Sequence, residues 1–466
     1  MSSIITSNDH TTHSVLPNFL FPSRSADSQR TLASISNQFL TQNKKIFDRY
    51  GIVTDLQHDG RQLKILFHTG EYIGAFPLLS PNSGRYDYGM VIYPRFEWKG
   101  LGSMLGVMGW KIIPAIQNLP ILPTTEKQVP RWVISSVVIL RLEKLLSILN
   151  RQFETVESFR DAPHGKVNWS QYASKQIPRA KFLEVPCSYP DLQNNQDLLA
   201  AVHFVLRQQM ADLESQRSAG YVVLTLIDKC WQLLHDVRHY PARKPTPRTL
   251  QGWFSAPLQH PNFKSGIQAL EWSIESKGLA GLSSLQGLPW KMSMPEFFEG
   301  WGETIALKLS EYTGGVVRSG RLQETVTPIS WDYPPAGSQK SLKPDVIIER
   351  PNETIIIDAK YKAHWYELQN QRWYAIEEEM REQHRNDLLQ VLAYSTLFTT
   401  ESITALLMYP CSKATWDELI EKGRAVQRAS VYSGDRKITL LLSAIPMQPN
   451  IDEIAKHVAM QLNTHT

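Results

Sequence analysis

Residues 342–362 read LKPDVIIERPNETIIIDAKYK. Two β-branched runs, 346–348 and 354–357, flank a polar break containing Arg350, Pro351 and Asn352. That pattern is read as a β-hairpin. Side chains alternate along a strand. Ile356, Asp358, Lys360 and Lys362 therefore share one face, and Ile355, Ile357, Ala359 and Tyr361 take the other. Asp345 enters the first run and Asp358 closes the second, so two carboxylates and a lysine converge at one end of an otherwise apolar hairpin.

A metal-dependent phosphodiesterase needs this set of groups. Hard divalent cations such as Mg2+ take oxygen ligands and keep several waters. Asp345 and Asp358 would anchor the ion, and the main-chain carbonyl of Ala359 would add a third oxygen. Lys360 would stand near the attacking water or the scissile phosphate and stabilise developing charge. The same residues also read as an ordinary hairpin with Asp in a turn and lysines at its edge.

The flanking segments favour the first reading. Upstream, 294–312 carries Phe298, Trp301, Ile305 and Leu309 at helical spacing, with Pro295 in the first turn and Gly314-Gly315 at the end. Glu296, Glu299 and Glu303 lie three and four apart on that helix. Downstream, 387–398 reads as a second helix with Gln390 and Tyr394 at i, i+4, and 403–409 as an apolar strand. The order is helix, strand, hairpin, helix, strand.

Over roughly 290–445 the chain resembles the PD-(D/E)xK nuclease superfamily. The matching positions are Glu299 on the first helix, Pro344-Asp345, Asp358-Ala359-Lys360, and the QxxxY pair Gln390 and Tyr394. The resemblance implies a restriction-endonuclease-like αβββαβ core and Mg2+ (or Mn2+) held by Asp345, Asp358, Ala359 and Glu299. It also implies that Gln390 and Tyr394 position phosphate and the catalytic lysine. Glu299 is preferred as the helix acid because it follows Phe298 as in the family; Glu303 is the fallback. Met294-Pro295, Phe298-Glu299, "KPD", "DAKYK" and D-x-x-Q-x-x-x-Y together are similar to McrC, the nuclease subunit of McrBC-type modification-dependent restriction systems. Ile92-Tyr93-Pro94-Arg95, the 100–108 stretch, Gly165-Lys166-Val167 and 182–199 extend a looser likeness. Arg95 stands where that family has lysine, and Gly165 is not preceded by arginine.

The chain holds 466 residues, more than one typical domain. The expected organisation is multidomain, α/β and α+β. It comprises a flexible tail (1–35), a β-rich domain that binds the partner or DNA (36–125), a helical middle (126–285) and the nuclease domain (286–466). The tail is rich in Ser, Thr, Asn and His and lacks a basic start followed by an apolar core. The longest apolar run, 132–140, is too short to span a bilayer. The expectation is a cytoplasmic protein with no membrane partner. A net charge of +4 leaves DNA contacts to local patches. Cys187, Cys230 and Cys411 lie far apart without a CxxC, as buried thiols of a reducing compartment do.

No G-x-x-x-x-G-K-[ST] loop occurs, so the chain is not expected to bind a nucleotide. The McrC likeness implies a separate AAA+ GTPase, McrB-like, bound through the N-terminal domain. His235 and His239 have metal-ligand spacing without a third ligand and read as surface histidines. His364 and His384 show no partner in the sequence. Arg238, Arg243, Lys244 and Arg248 cluster around a proline-rich stretch that reads as a solvated linker. The 365–385 insert reads as a loop and helix start over a DNA groove.

The expected activity is DNA phosphodiester hydrolysis by in-line attack of a water. One site cuts one strand, so a double-strand break implies two copies. The alternatives are a non-catalytic adaptor that activates an AAA+ NTPase, and a PD-(D/E)xK nuclease of another defence or repair system.

Overall fold

The computed structural model describes residues 3–24, 28–59, 62–96, 98–112, 115–116, 132–149, 154–191, 196–255, 260–274, 278–279, 287–362, 378–433 and 436–463. The fold is mixed α/β and divides into two units. One holds 1–130, 219–222 and 278–466, the other 131–218 and 223–277.

The first unit begins with β1 (Ser3–Asn8) and β2 (Thr12–Val15), followed by helix α1 (Gln29–Arg49). Ser28 caps α1 by accepting from the Thr31 N–H, and Leu32, Phe39, Ile46 and Phe47 form its buried stripe. Then come β3 (Val53–Asp59), β4 (Gln62–His68), β5 (Tyr72–Leu78), β6 (Tyr88–Tyr93), α2 (Trp98–Val107) and β7 (Ala115–Ile116). β3 and β4 form a hairpin that β2 extends. The expectation of a flexible 1–35 tail is corrected here. Ile4, Ile5 and Thr6 are β-branched, and β1 pairs in parallel with β6 from Ser3↔Tyr88 to Asn8↔Tyr93. A partner more than eighty residues away leaves no local mark in the sequence.

The second unit contains helices α3 (Trp132–Leu149) and α4 (Gln196–Glu214), α5 (Tyr221–Val237) from residue 223 onward, α6 (Pro247–Ser255) and α7 (Pro261–Ile274). Gly266 on α7 faces α3 so closely that a Cβ there would lie 2.7 Å from Leu145 Cβ. Beside the helices expected of this region, it also holds strands. β8 (Glu154–Arg160), β10 (Val185–Asp191) and the short β9 (Lys166–Val167) form an antiparallel sheet in the order β8-β10-β9. Val185, Cys187 and Tyr189 make its small core, a period-two pattern interrupted by Pro186 and Pro190.

The chain re-enters the first unit through β11 (Trp290–Ser293), which pairs with both β5 and β7 and completes the sheet β1-β6-β5-β11-β7. The remaining elements are α8 (Met294–Thr313), β12 (Val316–Ser319), β13 (Val346–Glu349), β14 (Glu353–Ala359), α9 (Glu378–Ser395), β15 (Ser402–Cys411), α10 (Lys413–Glu421), β16 (Val426–Ser433), β17 (Arg436–Pro446) and α11 (Ile451–Asn463). Their sheet has the order β12-β13-β14-β15-β17-β16. β12, β13 and β14 are antiparallel neighbours, and β14, β15 and β17 run parallel. The parallel strands are apolar on both sides, as strands covered on two faces are. Among the described residues, no helix is long and apolar enough to cross a membrane.

Candidate active site

The hairpin β13–β14 has the register Val346↔Ile357, Ile347↔Ile356 and Ile348↔Ile355. It brings Asp345 and Asp358 to the same end. Asp345 Oδ2 accepts the Ala359 N–H at 2.8 Å, which ties the first carboxylate to the second strand. The parallel pairing of β14 with β15 stops at Ala359↔Met408, and the Lys360 N–H reaches Met408 O at 2.8 Å.

Asp358 is buried, and neither of its carboxylate oxygens makes a well-formed hydrogen bond, although Lys360 Nζ lies 2.7 Å from Oδ2. A buried carboxylate left in this condition is costly unless something further satisfies it. Burial pushes the Asp358 carboxyl up in pKa against the pull of Lys360. Burial also pushes Asp345 well up, and the charges of Asp358 and Glu299 add to the effect. Glu299 on α8 is raised by burial and by Glu296, with Lys360 opposing. Asp358 thus raises both Asp345 and Glu299, and Glu299 raises Asp345, which marks an excess of negative charge at the site. Lys360 loses basicity to burial, yet Asp358, Asp345 and Asp387 hold its ammonium above the usual lysine value.

Lys360 Nζ donates to Gln390 Oε1 at 2.9 Å, and Gln390 Nε2 donates to the Tyr394 hydroxyl at 2.8 Å. The i, i+4 pair on α9 thus forms one chain ending on the lysine. The Gly302 position on α8 allows close approach to β14, since a Cβ there would lie 3.3 Å from Ala359 Cβ. Glu299, Asp345, Lys343, Gly320, Arg321 and Glu303 line a recess of about 190 Å3 beside the carboxylates.

Glu303 is engaged elsewhere. Its Oε1 takes Lys111 Nζ at 2.5 Å, and its Oε2 takes Arg321 Nε and Ser319 Oγ, each at 2.9 Å. Among the described residues, Glu299 makes no such bond. His235 and His239 are both engaged by Arg238, in keeping with surface histidines. His384 has a partner after all: its Nδ1 lies 3.3 Å from the Tyr409 hydroxyl. Tyr409 donates to Asp387 Oδ2 at 3.1 Å, and Lys362 binds Asp387 Oδ1 at 2.7 Å. Sequence reasoning missed this buried network behind the site. Its one signal was Lys362 on the Asp358 face. His364 and the 363–377 part of the insert lie outside the described residues.

The donor set suits a hard cation. Mg2+ is bound by one or two carboxylates with waters and substrate phosphates completing the shell. Asp345 and Asp358, with buried oxygens lacking hydrogen bonds on Asp358, meet that requirement. Among the described residues no group of three or more His, Cys, Asp and Glu is placed to hold a metal ion together, so ligands beyond Asp345 and Asp358 would be main-chain oxygen, water or phosphate.

Residues 327–410 match the sequence profile of the family described as McrBC 5-methylcytosine restriction system component. The chain covers all of a chain in the refined half-complex of Thermococcus gammatolerans McrB AAA+ hexamers with bound McrC, over its own full length, at 13% identity and a TM-score of 0.40. A second comparison is with the cryo-EM structure of the T. gammatolerans McrBC complex, at 12% identity, 66% of this chain, 88% of that chain and a TM-score of 0.27. No curated protein matches. The matched segment is the one that carries Asp345, Asp358, Lys360, Gln390 and Tyr394, so the likeness to the McrBC family falls on the residues of the site.

Proposed function

We propose that the chain is the nuclease subunit of an McrBC-like restriction system and hydrolyses DNA phosphodiester bonds at the Asp345–Asp358–Lys360 site. The convergence of two carboxylates and a lysine at one hairpin end, with the Asp358 oxygens buried and lacking hydrogen bonds, carries the reading. The element order α8, β12, β13, β14, α9, β15 supports assignment of the PD-(D/E)xK core. Asp345, Asp358 and the Ala359 carbonyl, with Glu299 beside them, would hold Mg2+ or Mn2+; bound there, the ion would polarise the phosphate and acidify a water.

The chain's own residues divide the remaining work. Lys360, held as a cation by Asp358 and its neighbours, is suited to stabilise charge developing on the phosphoryl oxygens rather than to accept a proton. Gln390 fixes the direction of that ammonium, and Tyr394 fixes Gln390. Asp345, bonded to the Ala359 main chain, keeps the two carboxylates at one depth. Glu299 is the helix acid, because Glu303 is already neutralised by Lys111 and Arg321. The family match supports an AAA+ GTPase partner of the McrB type, and double-strand cleavage would use two copies of this chain.

Asp345→Ala, Asp358→Ala and Lys360→Ala test the proposal. Each is expected to lower DNA cleavage by about two to three orders of magnitude or more, with the melting temperature and partner binding retained. A folded Asp358→Ala protein that cleaves like the wild type refutes the assignment.

A further inference from the structure

We infer that Asp9, Arg95 and Tyr361 form a buried clamp through which the N-terminal sheet positions Lys360, so that this sheet is part of the cleavage machinery as well as a docking module. The inference rests on the reading of Lys360 as the catalytic cation.

The hairpin ladder ends at Ala359, and Lys360 is the first residue beyond it. A catalytic side chain at such a position has one main-chain bond to β15 and needs anchoring on its far side. Tyr361 supplies the anchor. Its side chain points away from the Lys360 face and is buried. Its hydroxyl donates to Asp9 Oδ2 at 2.7 Å. Asp9 follows directly on β1 and is fully buried. Its other oxygen accepts the Arg95 main-chain N–H at 2.5 Å, and its own N–H reaches Tyr93 O at 2.9 Å.

Arg95 completes the clamp. Its guanidinium carbon lies 4.5 Å from the centre of the Tyr361 ring, and its Nε lies 3.7 Å from Asp9 Oδ2. Nε and Nη2 are buried and make no hydrogen bond, so the charge is balanced by Asp9 and by the faces of Tyr361 and Phe96. The Tyr361 ring also meets Phe298 at 6.1 Å between centroids. Phe298 precedes Glu299 on α8. One aromatic ring therefore adjoins the chain neighbours of both the lysine and the helix acid. Tyr361 is thus a positioning residue.

The test is steady-state cleavage by the full chain with Mg2+, supplied with an McrB-type AAA+ partner and GTP, comparing wild type, Tyr361→Phe and Asp358→Ala. Tyr361→Phe keeps the ring and removes the bond to Asp9. The clamp predicts kcat lower by about tenfold or more, with KM for DNA and Mn2+ affinity within about twofold of wild type. Unchanged kcat, or a loss confined to KM, overturns it. If Tyr361→Phe melts early, Arg95→Lys decides instead. It keeps a cation beside Asp9 and loses the planar stack, and a lower kcat at unchanged KM supports the clamp while an unchanged kcat overturns it. Asp358→Ala separates the two levels of failure. If it cleaves like the wild type, the site assignment falls and the clamp with it. If it is dead and Tyr361→Phe is fully active, the clamp alone falls.

Discussion

Lys360 is the residue on which the site turns, and its environment explains the roles of its neighbours. A lysine side chain carries four flexible bonds, so its ammonium is useful in catalysis only where it is held. Asp358 supplies charge at 2.7 Å, and Gln390 supplies direction at 2.9 Å. Gln390→Ala is expected to lower kcat by about tenfold while KM for DNA changes little, and Tyr394→Phe to cost less, because it acts through Gln390. Single-turnover cleavage measures both; equal kcat in Gln390→Ala and wild type would remove Gln390 from the site. The alternation of residues 356–362 made Asp358, Lys360 and Lys362 legible as one face in the sequence. The partner of Lys362, Asp387, was not, because it arrives on α9 from beyond the insert. For the same reason His384 looked alone until Tyr409 and Asp387 were seen beside it.

Helix α8 and strand β11 show how neighbouring elements set the site. Ser293 ends β11 and caps α8, so the strand of one sheet leads directly into the helix bearing Glu299. Gly74 on β5 lies opposite β11 at φ +157°, and a Cβ there would lie 2.2 Å from Trp290 O. Gly74→Ala must push the strands apart and is expected to destabilise the first unit by about 3 kcal/mol; a denaturant midpoint equal to wild type would contradict this. Glu303 holds α8 to Lys111 and Arg321. Burial alone would raise its pKa, but the bonds from Lys111, Arg321 and Ser319 prevail and hold it below 4.5. A carboxyl depressed in the folded state adds stability above its unfolded pKa, and that stability is lost as pH falls through the folded value. Glu303→Gln is therefore expected to cost about 2 kcal/mol at neutral pH and to flatten the stability loss seen in acid below pH 4.5. Urea melts across pH measure both; a wild-type slope in the variant would contradict the account. The start of α8 and its Gly314-Gly315 end were readable from Pro295 and the glycines, since these are local backbone effects. The sheet β8-β10-β9 was not, because prolines break its alternating pattern.

The first unit draws strands as far apart as residues 3–8 and 290–293 into one sheet. β1 lies at one side and β11 beside β5, so the N-terminal sheet is incomplete without the residues that immediately precede α8. A fragment comprising 286–466 would expose β11 and the Tyr361 pocket. It is expected to melt without cooperativity by circular dichroism, whereas a sharp transition at the temperature of the whole chain would contradict a shared fold. Sequence periodicity located the hairpin and both helices because their signals lie within a few residues. It missed the role of residues 3–8 because parallel pairing with 88–93 is decided by packing between distant segments. The central claim is that Asp358 and its neighbours cut DNA in a metal-dependent reaction. Plasmid cleavage by the purified chain, with an McrB-type partner and GTP, tests it most directly when Mg2+ is compared with EDTA, and wild type with Asp358→Ala. The account predicts cutting only by wild type and only with Mg2+ or Mn2+. Cleavage by folded Asp358→Ala, or no cleavage under any of these conditions while the chain still stimulates GTP hydrolysis by the partner, would contradict it.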